Sequence, residues 1–212
     1  VNNDFAGIKN WFNEFYARDT SRKIRAVQKA KGERGVPLTV NVPYGYVKDP
    51  ENPKHWLVDP EAAAIVKRIF SMCMEGRGPT QIANQLWADK VLTPTAYKLS
   101  HGRSTNAPAP EDPYRWDKRA VSLILERREY TGCTVNFKTY TNSIWDKKRH
   151  LNPVENQAIF PDTHERIIDD DVFEKVQEIR SQRHRMTRTG KSSIFSGMVY
   201  CADCGSKMQY GS

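Results

Sequence analysis

The chain has 212 residues, a formal net charge of +8 at pH 7 and a mean hydropathy of −0.71. No apolar run is long enough to cross a bilayer and no basic-then-apolar leader opens the chain, so we expect neither a membrane span nor a secretory signal. The basic balance favours nucleic acid as a partner, and four cysteines without a leader indicate a reducing, cytoplasmic compartment rather than a disulfide framework.

The first predicted element is a helix that runs to about Lys31 and is basic in its second half. Its apolar positions are sparse, and Gly32 and Gly35 are expected to end it. The pattern fits either a solvated charged helix or a basic helix that lies along DNA phosphates. The basic residues of this segment that are candidates for phosphate contacts are Arg22, Arg25, Lys29, Lys31 and Arg34.

A linker and an amphipathic core helix follow. The stretch GVPLTVNVPYGY combines Pro and Gly with β-branched residues, which predicts an extended, semi-rigid linker that leads into a tight turn. In LVDPEAAAIVKRIFSMCMEG, Asp59 is a good N-cap and Pro60 suits the first helical position. Apolar residues then recur at helical spacing until Gly76, so this segment is predicted to contribute to the core.

Two further helices are predicted on either side of a long polar segment. The first runs from about Thr80 to Asp89, and the second follows its cap Asp117 with Val121, Ile124 and Leu125 as its apolar face. The segment from Lys98 to Pro113 is rich in Ser, Asn, Gly and Pro, which cannot pack a core, and it is predicted to be a mobile loop.

Short alternating runs from Thr131 to about Phe160 predict a small antiparallel sheet with a polar insertion. A fourth helix then begins at Asp169 or Asp170 and buries apolar positions at helical spacing. The run of three aspartates at its start is interpreted as capping the helix rather than as a metal site. The predicted fold class is therefore α+β.

The last part of the chain is a basic linker followed by a cysteine pair. The linker carries Arg183, Arg185, Arg188 and Lys191 with few apolar residues. Cys201 and Cys204 have the spacing and the following glycine of a zinc knuckle. No second pair follows, so we interpret them as half of a zinc site in a partial zinc ribbon and expect no complete site from this chain alone.

The two helices that flank the polar segment suggest a helix–turn–helix unit. The second helix would offer Arg115, Lys118, Arg119 and Ser122 to phosphates and base edges, opposite its apolar face. The usual connection has only about three or four residues, so a helical bundle with an ordinary charged surface is the alternative. Basic segments on both sides of this domain favour DNA, since extended basic arms lie along the backbone or in the minor groove.

In combination these segments resemble the large serine recombinases, the serine integrase and transposase family of phages and mobile elements. The matching stretches, in family order, are NEFYARDTSRKIRAVQKAKGERG, VPYGY, VDPEAAAIVKRIF, GPTQIANQLWADKVLTP, YRWDKRAVSLILERREYTG, RIIDDDVFEKVQEIRSQR and SGMVYCADCGSKM. The resemblance also answers the objection to the long connection, because this family tolerates an insertion between the two helices.

The resemblance implies a division of the chain into four parts. Residues 1–35 would be the end of the catalytic domain with its connecting helix and linker, and residues 36–182 the DNA-binding recombinase domain. Residues 183–191 would be the basic linker, and 192–212 the truncated start of the zinc ribbon. It further implies self-association into dimers and tetramers, and zinc, in the full-length protein; no cofactor is expected in this fragment.

Family members break and rejoin DNA through a phosphoserine intermediate, and the matching serine is not in this chain. We therefore expect the chain to bind duplex DNA at an attachment or transposon-end site without cutting it. The alternative is a helix-turn-helix DNA-binding regulator that has no recombinase activity. A third interpretation, a basic RNA-binding or ribosome-associated protein with a zinc ribbon, would prefer structured RNA to duplex DNA.

Overall fold

The structure is a computed structural model that describes residues 6–39, 41–105, 107–142, 145–146, 148–182 and 199–206. The α-helices of these residues are α1 (Ala6–Glu33), α2 (Pro60–Met74), α3 (Pro79–Ala88), α4 (Pro94–Ser100), α5 (Lys118–Glu126) and α6 (Asp170–Gln182). Short 3₁₀ helices span Arg128–Thr131 and Val154–Asn156. Within the described ranges no helix is long and apolar enough to cross a membrane.

The core lies between α2, α3, α5 and α6, which pack against one another. Apolar residues at helical spacing, such as Val66 and Ile69 of α2 and Leu86 of α3, are completely buried there. Burying each such side chain stabilises the fold by about 1.5–3 kcal/mol before entropy is counted. This apolar periodicity is the signal that predicts α2, α3, α5 and α6 from the sequence.

The helix starts follow from local chemistry. A proline occupies the first turn of α2, α3 and α4, where its missing N–H would have no partner in any case. The Asp117 carboxylate accepts a hydrogen bond from the Arg119 N–H at 2.8 Å and caps α5, as the sequence predicts. Thr93 caps α4 through the Ala96 N–H at 3.4 Å.

In the described ranges the strands form three separate antiparallel pairs, two of them after Thr131, where the sequence predicts one small sheet. Their bounds are β1 (Tyr46–Lys48), β2 (Trp56–Val58), β3 (Thr134–Asn136), β4 (Thr139–Tyr140), β5 (His150–Leu151) and β6 (Ala158–Phe160). β1 pairs with β2, β3 with β6 and β4 with β5. The first pair is not predicted from the sequence, where the predicted linker and turn end at Tyr46, the first residue of β1. Three-residue strands carry too little periodicity to be recognised.

The polar segment after α3 also differs from its prediction as a mobile loop. Its first three residues are helical, since α4 extends from Pro94 to Ser100. Further along, the Arg103 guanidinium pairs with the Asp59 carboxylate at 3.0 Å, and the Trp87 indole N–H donates to Asp112 at 2.9 Å. The segment is therefore tied to the core on both sides of residues 104–111.

Candidate nucleic-acid interface

Helices α3 and α5 pack against each other and form the centre of the candidate interface. Val121, Ile124 and Leu125 are the buried residues of α5, and Ile82 and Leu86 are buried on α3. This places the apolar face of α5 on α3 and leaves the opposite face of α5 outward. The two helices are adjacent although residues 89–117 separate them in the chain.

The outward face of α5 is basic at its N-terminal end. Lys118 and Arg119 are exposed, Ser122 is half-buried, and Leu123 is 45% exposed. Exposed Arg115 precedes the cap. No described carboxylate lies within ion-pair distance of these three cations. Their charges are therefore available to an external anion, close to the positive end of a helix dipole.

The acidic residue of α5, Glu126, forms an ion pair with α6. The Glu126 carboxylate, at the C-terminal end of α5, accepts a 2.6 Å hydrogen bond from the Arg180 guanidinium of α6. The Asp117 carboxylate at the other end is hydrogen-bonded to backbone N–H as the cap. Residues 115–119 therefore carry three cations and one carboxylate, a net charge of +2 at this end of the helix.

The insertion between α3 and α5 is closed by hydrogen bonds that bring its two ends together. The Thr93 N–H donates to the Pro113 carbonyl at 2.8 Å, and the buried Trp116 indole N–H donates to the Val91 carbonyl at 3.0 Å. These bonds replace the short turn of an ordinary helix pair. They explain how α5 docks on α3 despite the long connection.

The Asp59 carboxylate holds the outer part of the insertion. It accepts hydrogen bonds from the Tyr97 hydroxyl at 2.9 Å and from Arg103 at 3.0 Å, and it makes no cap bond to α2. Burial of the Tyr97 side chain, together with this carboxylate, raises the pKa of the phenol above its usual value. The sequence predicts only a capping role for Asp59, because its partners lie about forty residues further on.

The predicted basic residues of α1 are exposed on a helix that makes few packing contacts. Arg22 pairs with Asp19 at 3.2 Å and Lys29 with Glu33 at 3.7 Å, both on the surface of the same helix. Such exposed pairs contribute at most about 1 kcal/mol, so they exchange readily for phosphate contacts. Arg25, Lys31 and Arg34 have no carboxylate partner in the described part of the chain.

The remaining predicted site residues belong to the C-terminal segment. Arg183, Arg185, Arg188 and Lys191 lie outside the described residues. Cys201 and Cys204 flank a turn in which the Gly205 N–H donates to the Cys201 carbonyl at 3.0 Å. The Ser206 hydroxyl, 2.7 Å from the Cys204 sulfur, lowers the pKa of that thiol.

This turn fits one half of a tetrahedral zinc site, which needs four ligands. The described ranges contain no group of three or more His, Cys, Asp or Glu side chains placed to hold a metal ion. The aspartates at the start of α6 do not form such a group either.

The family model described as Recombinase matches residues 60–183. An uncharacterized protein of Bacillus subtilis (strain 168), YefB, is 32% identical over 96 residues, which are 45% of this chain and 32% of YefB. A chain of a crystal structure of an LSR–DNA complex superposes with a TM-score of 0.51 at 18% identity, over 87% of this chain and 47% of that one.

A second solved structure, on the sequence requirements of the Listeria innocua prophage attP site, also gives a TM-score of 0.51 at 18% identity. The match covers 86% of this chain and 62% of that chain. The two structures therefore share the fold described above. The matches span about a third of YefB, 47% of the first solved chain and 62% of the second.

Proposed function

The chain belongs to the Recombinase family, and from this premise we propose that it is the DNA-binding part of a large serine recombinase. In this proposal α3 and α5 act as a helix–turn–helix unit, with α5 in the major groove of an attachment or transposon-end site. The basic α1 and the linker segments contact the backbone on either side. The observation that carries the proposal is the exposed start of α5, where Lys118 and Arg119, with Arg115 just before the cap, have no acidic partner among the described residues.

Two features favour a role for α5 in reading bases over a general basic surface. Lys118 and Arg119 lie at the first two positions of the helix, where side chains of a recognition helix reach base edges. The acidic residue of α5, Glu126, lies at its other end and is paired with Arg180 of α6, which offsets its charge.

The experiment compares two double charge reversals with the same change in net charge. Lys118→Glu with Arg119→Glu alters the α5 face, whereas Lys54→Glu with Lys175→Glu alters exposed, unpaired cations elsewhere. The probe is a duplex enriched from a random library by the wild-type chain, measured against random duplex at fixed salt. We expect the α5 pair to weaken binding to the enriched duplex about tenfold or more beyond its effect on random duplex.

The control pair should weaken binding to both duplexes by the same factor, because it changes only the general attraction. Equal losses on both duplexes for the α5 pair would contradict the recognition assignment. If the wild-type chain enriched no duplex and preferred structured RNA, the DNA-binding proposal itself would be wrong.

The activity of the whole protein is part of the same proposal. We propose strand exchange through a phosphoserine, assembly into dimers and tetramers, zinc binding by Cys201 and Cys204 with a second pair, and DNA contacts by the basic segment at 183–191. The four-part division of the chain belongs to this proposal as well. A Tyr-x-Arg-x-Ser stretch encoded upstream of Val1 would support strand exchange, and its absence from the full gene would favour a DNA-binding regulator.

A further inference from the structure

The chain that leaves α1 is held to the strands by a buried asparagine. The Asn136 side chain of β3 is 3% exposed. Its amide nitrogen donates to the carbonyls of Gly32, at 3.1 Å, and Val36, at 2.9 Å. Its oxygen accepts from the Leu38 N–H at 3.1 Å. One side chain thus binds three backbone groups on a segment about a hundred residues earlier in the chain.

The residues around these Asn136 hydrogen bonds are closely packed. Among the α1 residues whose burial the structure describes, Gly32 alone is buried. A Cβ added there would overlap the Phe137 ring, with the ring's Cε1 at 2.9 Å. Phe137 has a φ of +59°, a strained value for a bulky residue, and Gly35 has a φ of +76°. A Cβ at Gly35 would lie 3.1 Å from the Phe160 ring.

The linker beyond Leu38 is fixed again a few residues later. The Tyr130 hydroxyl, on a fully buried side chain, donates to the Tyr44 carbonyl at 2.8 Å. The Lys98 ammonium of α4 donates to the Val42 carbonyl at 3.3 Å. Tyr130 and Asn136 both lie in the short stretch that follows α5 in the chain. The side chains of Tyr130 and Asn136 therefore fix the position of the linker relative to α5.

We propose that Asn136 is a positioning residue that fixes the direction of α1 relative to α5. Its three hydrogen bonds, with the Gly32–Phe137 contact, make the junction of α1 and β3 a rigid joint. The consequence for DNA rests on the function proposed above: the base pairs contacted by α1 and its linker and those read by α5 are held at one spacing. A flexible joint would let the two contacts slide independently.

A structural role alone does not require this arrangement. The core of α2, α3, α5 and α6 is complete without α1, whose large apolar side chains such as Trp11 and Phe15 are more than half exposed. The middle of α1 lines an open cleft whose other wall includes Thr141 and Asp146. Loss of the joint should therefore release α1 while the domain stays folded.

The first test measures the joint without DNA. Nitroxide labels are placed at Ala17→Cys on α1 and Ser181→Cys on α6, in a Cys201→Ser, Cys204→Ser background that leaves only buried native thiols. Pulsed dipolar spectroscopy should give a narrow distance distribution, and Asn136→Ala should broaden it while the core still unfolds cooperatively. The exposed Asn156→Ala is the matched control and should leave the distribution narrow.

A second pair of variants separates the ring contact from the hydrogen bonds. Gly32→Ala should also broaden the distribution, because its methyl group meets the Phe137 ring. Adding Phe137→Gly should restore a narrow distribution, since glycine accepts the positive φ and the Asn136 bonds remain. This pair also covers the case in which Asn136→Ala does not fold. A distribution as narrow as wild type in both Asn136→Ala and Gly32→Ala would overturn the proposal.

The DNA arm uses the duplex enriched by the wild-type chain, with two base pairs inserted between the α1 and α5 footprints. Wild type should lose about tenfold or more in affinity, comparable to a mismatched base pair. Asn136→Ala should bind the original duplex more weakly and tolerate the insertion with little further loss. Equal insertion penalties in the two proteins would overturn the joint's role on DNA. A wild-type chain that binds no duplex would instead refute the proposed function.

Discussion

At the scale of single residues, we expect His164 to make the fold sensitive to mild acid. The ring is 9% exposed and lies against Tyr46 and Trp56, with Nε2 2.8 Å from the Glu129 carbonyl. Burial lowers the pKa of this imidazole below its ordinary value. Just below about pH 6.5, His164 therefore binds a proton more readily in the unfolded chain than in the folded chain.

The free energy of unfolding should be constant with respect to this group above that pH, and should fall as the pH drops towards the folded pKa. Urea unfolding at pH 8.0, 6.5 and 5.5 measures the loss, in a range that keeps the carboxylates ionised. His164→Gln should flatten the profile. Equal slopes for wild type and His164→Gln would refute this assignment.

Some functional residues can be predicted from the local sequence pattern, and others cannot. Arg119 is predictable, because helical spacing places it on the face opposite Val121 and Leu125, and Lys118 is predictable as the first residue after the cap. The role of Asn136 is not, since a strand asparagine in a short run carries no sign of partners a hundred residues away. Local periodicity identifies faces, but contacts between distant segments need the tertiary structure.

At the scale of elements, the insertion between α3 and α5 is a loop whose two ends are fixed. The Arg103–Asp59 bond secures one side of residues 104–111, and the Trp87–Asp112 and Thr93–Pro113 bonds secure the other. The Arg103 side chain is 38% exposed, whereas its partner Asp59 is 9% exposed and, among the described residues, keeps only the Tyr97 hydroxyl as a side-chain donor when Arg103 is removed. Loss of this ion pair should also make residues 104–111 more accessible to a protease.

Arg103→Ala should lower the urea midpoint, because the buried Asp59 carboxylate loses its cation, and should increase cleavage in the loop. A glutamate-specific protease that cuts after exposed Glu111, with products mapped by mass spectrometry, measures this. Arg77→Ala, which removes a surface pair with Glu75 outside the insertion, is the control and should not change cleavage at Glu111. Unaltered cleavage in Arg103→Ala would show that the other contacts hold the loop alone.

The sequence predicted α2, α3, α5 and α6 to within a few residues, because each combines a cap or first-turn proline with an apolar stripe. It missed α4, since this single short helix buries only Ala96 and Tyr97 and the rest of its segment is polar. It merged two strand pairs into one sheet and missed β1 and β2. Strands of two or three residues are defined by their partners and not by their own pattern.

At the scale of the whole molecule, the charge of +8 is distributed over elements with different roles. In the proposed complex, α5 reads bases, while Arg25, Lys31 and Arg34 of α1 and its linker contact phosphates. Backbone contacts release counterions and carry no sequence information. The two sets of cations should therefore affect different measurable properties of DNA binding.

Neutralising the second set, as Arg25→Gln, Lys31→Gln and Arg34→Gln together, should weaken binding to enriched and random duplex by similar factors. It should also reduce the slope of log affinity against log salt by about one for each phosphate that the variant no longer neutralises. Fluorescence anisotropy between 50 and 200 mM salt, a range of about fourfold, resolves such a change. The control is Lys54→Gln, Lys67→Gln and Lys175→Gln, which removes the same charge from exposed positions on the β1–β2 turn, α2 and α6. An equal slope in the two triple variants would show that α1 and its linker make no special contact, and that the attraction comes from net charge alone.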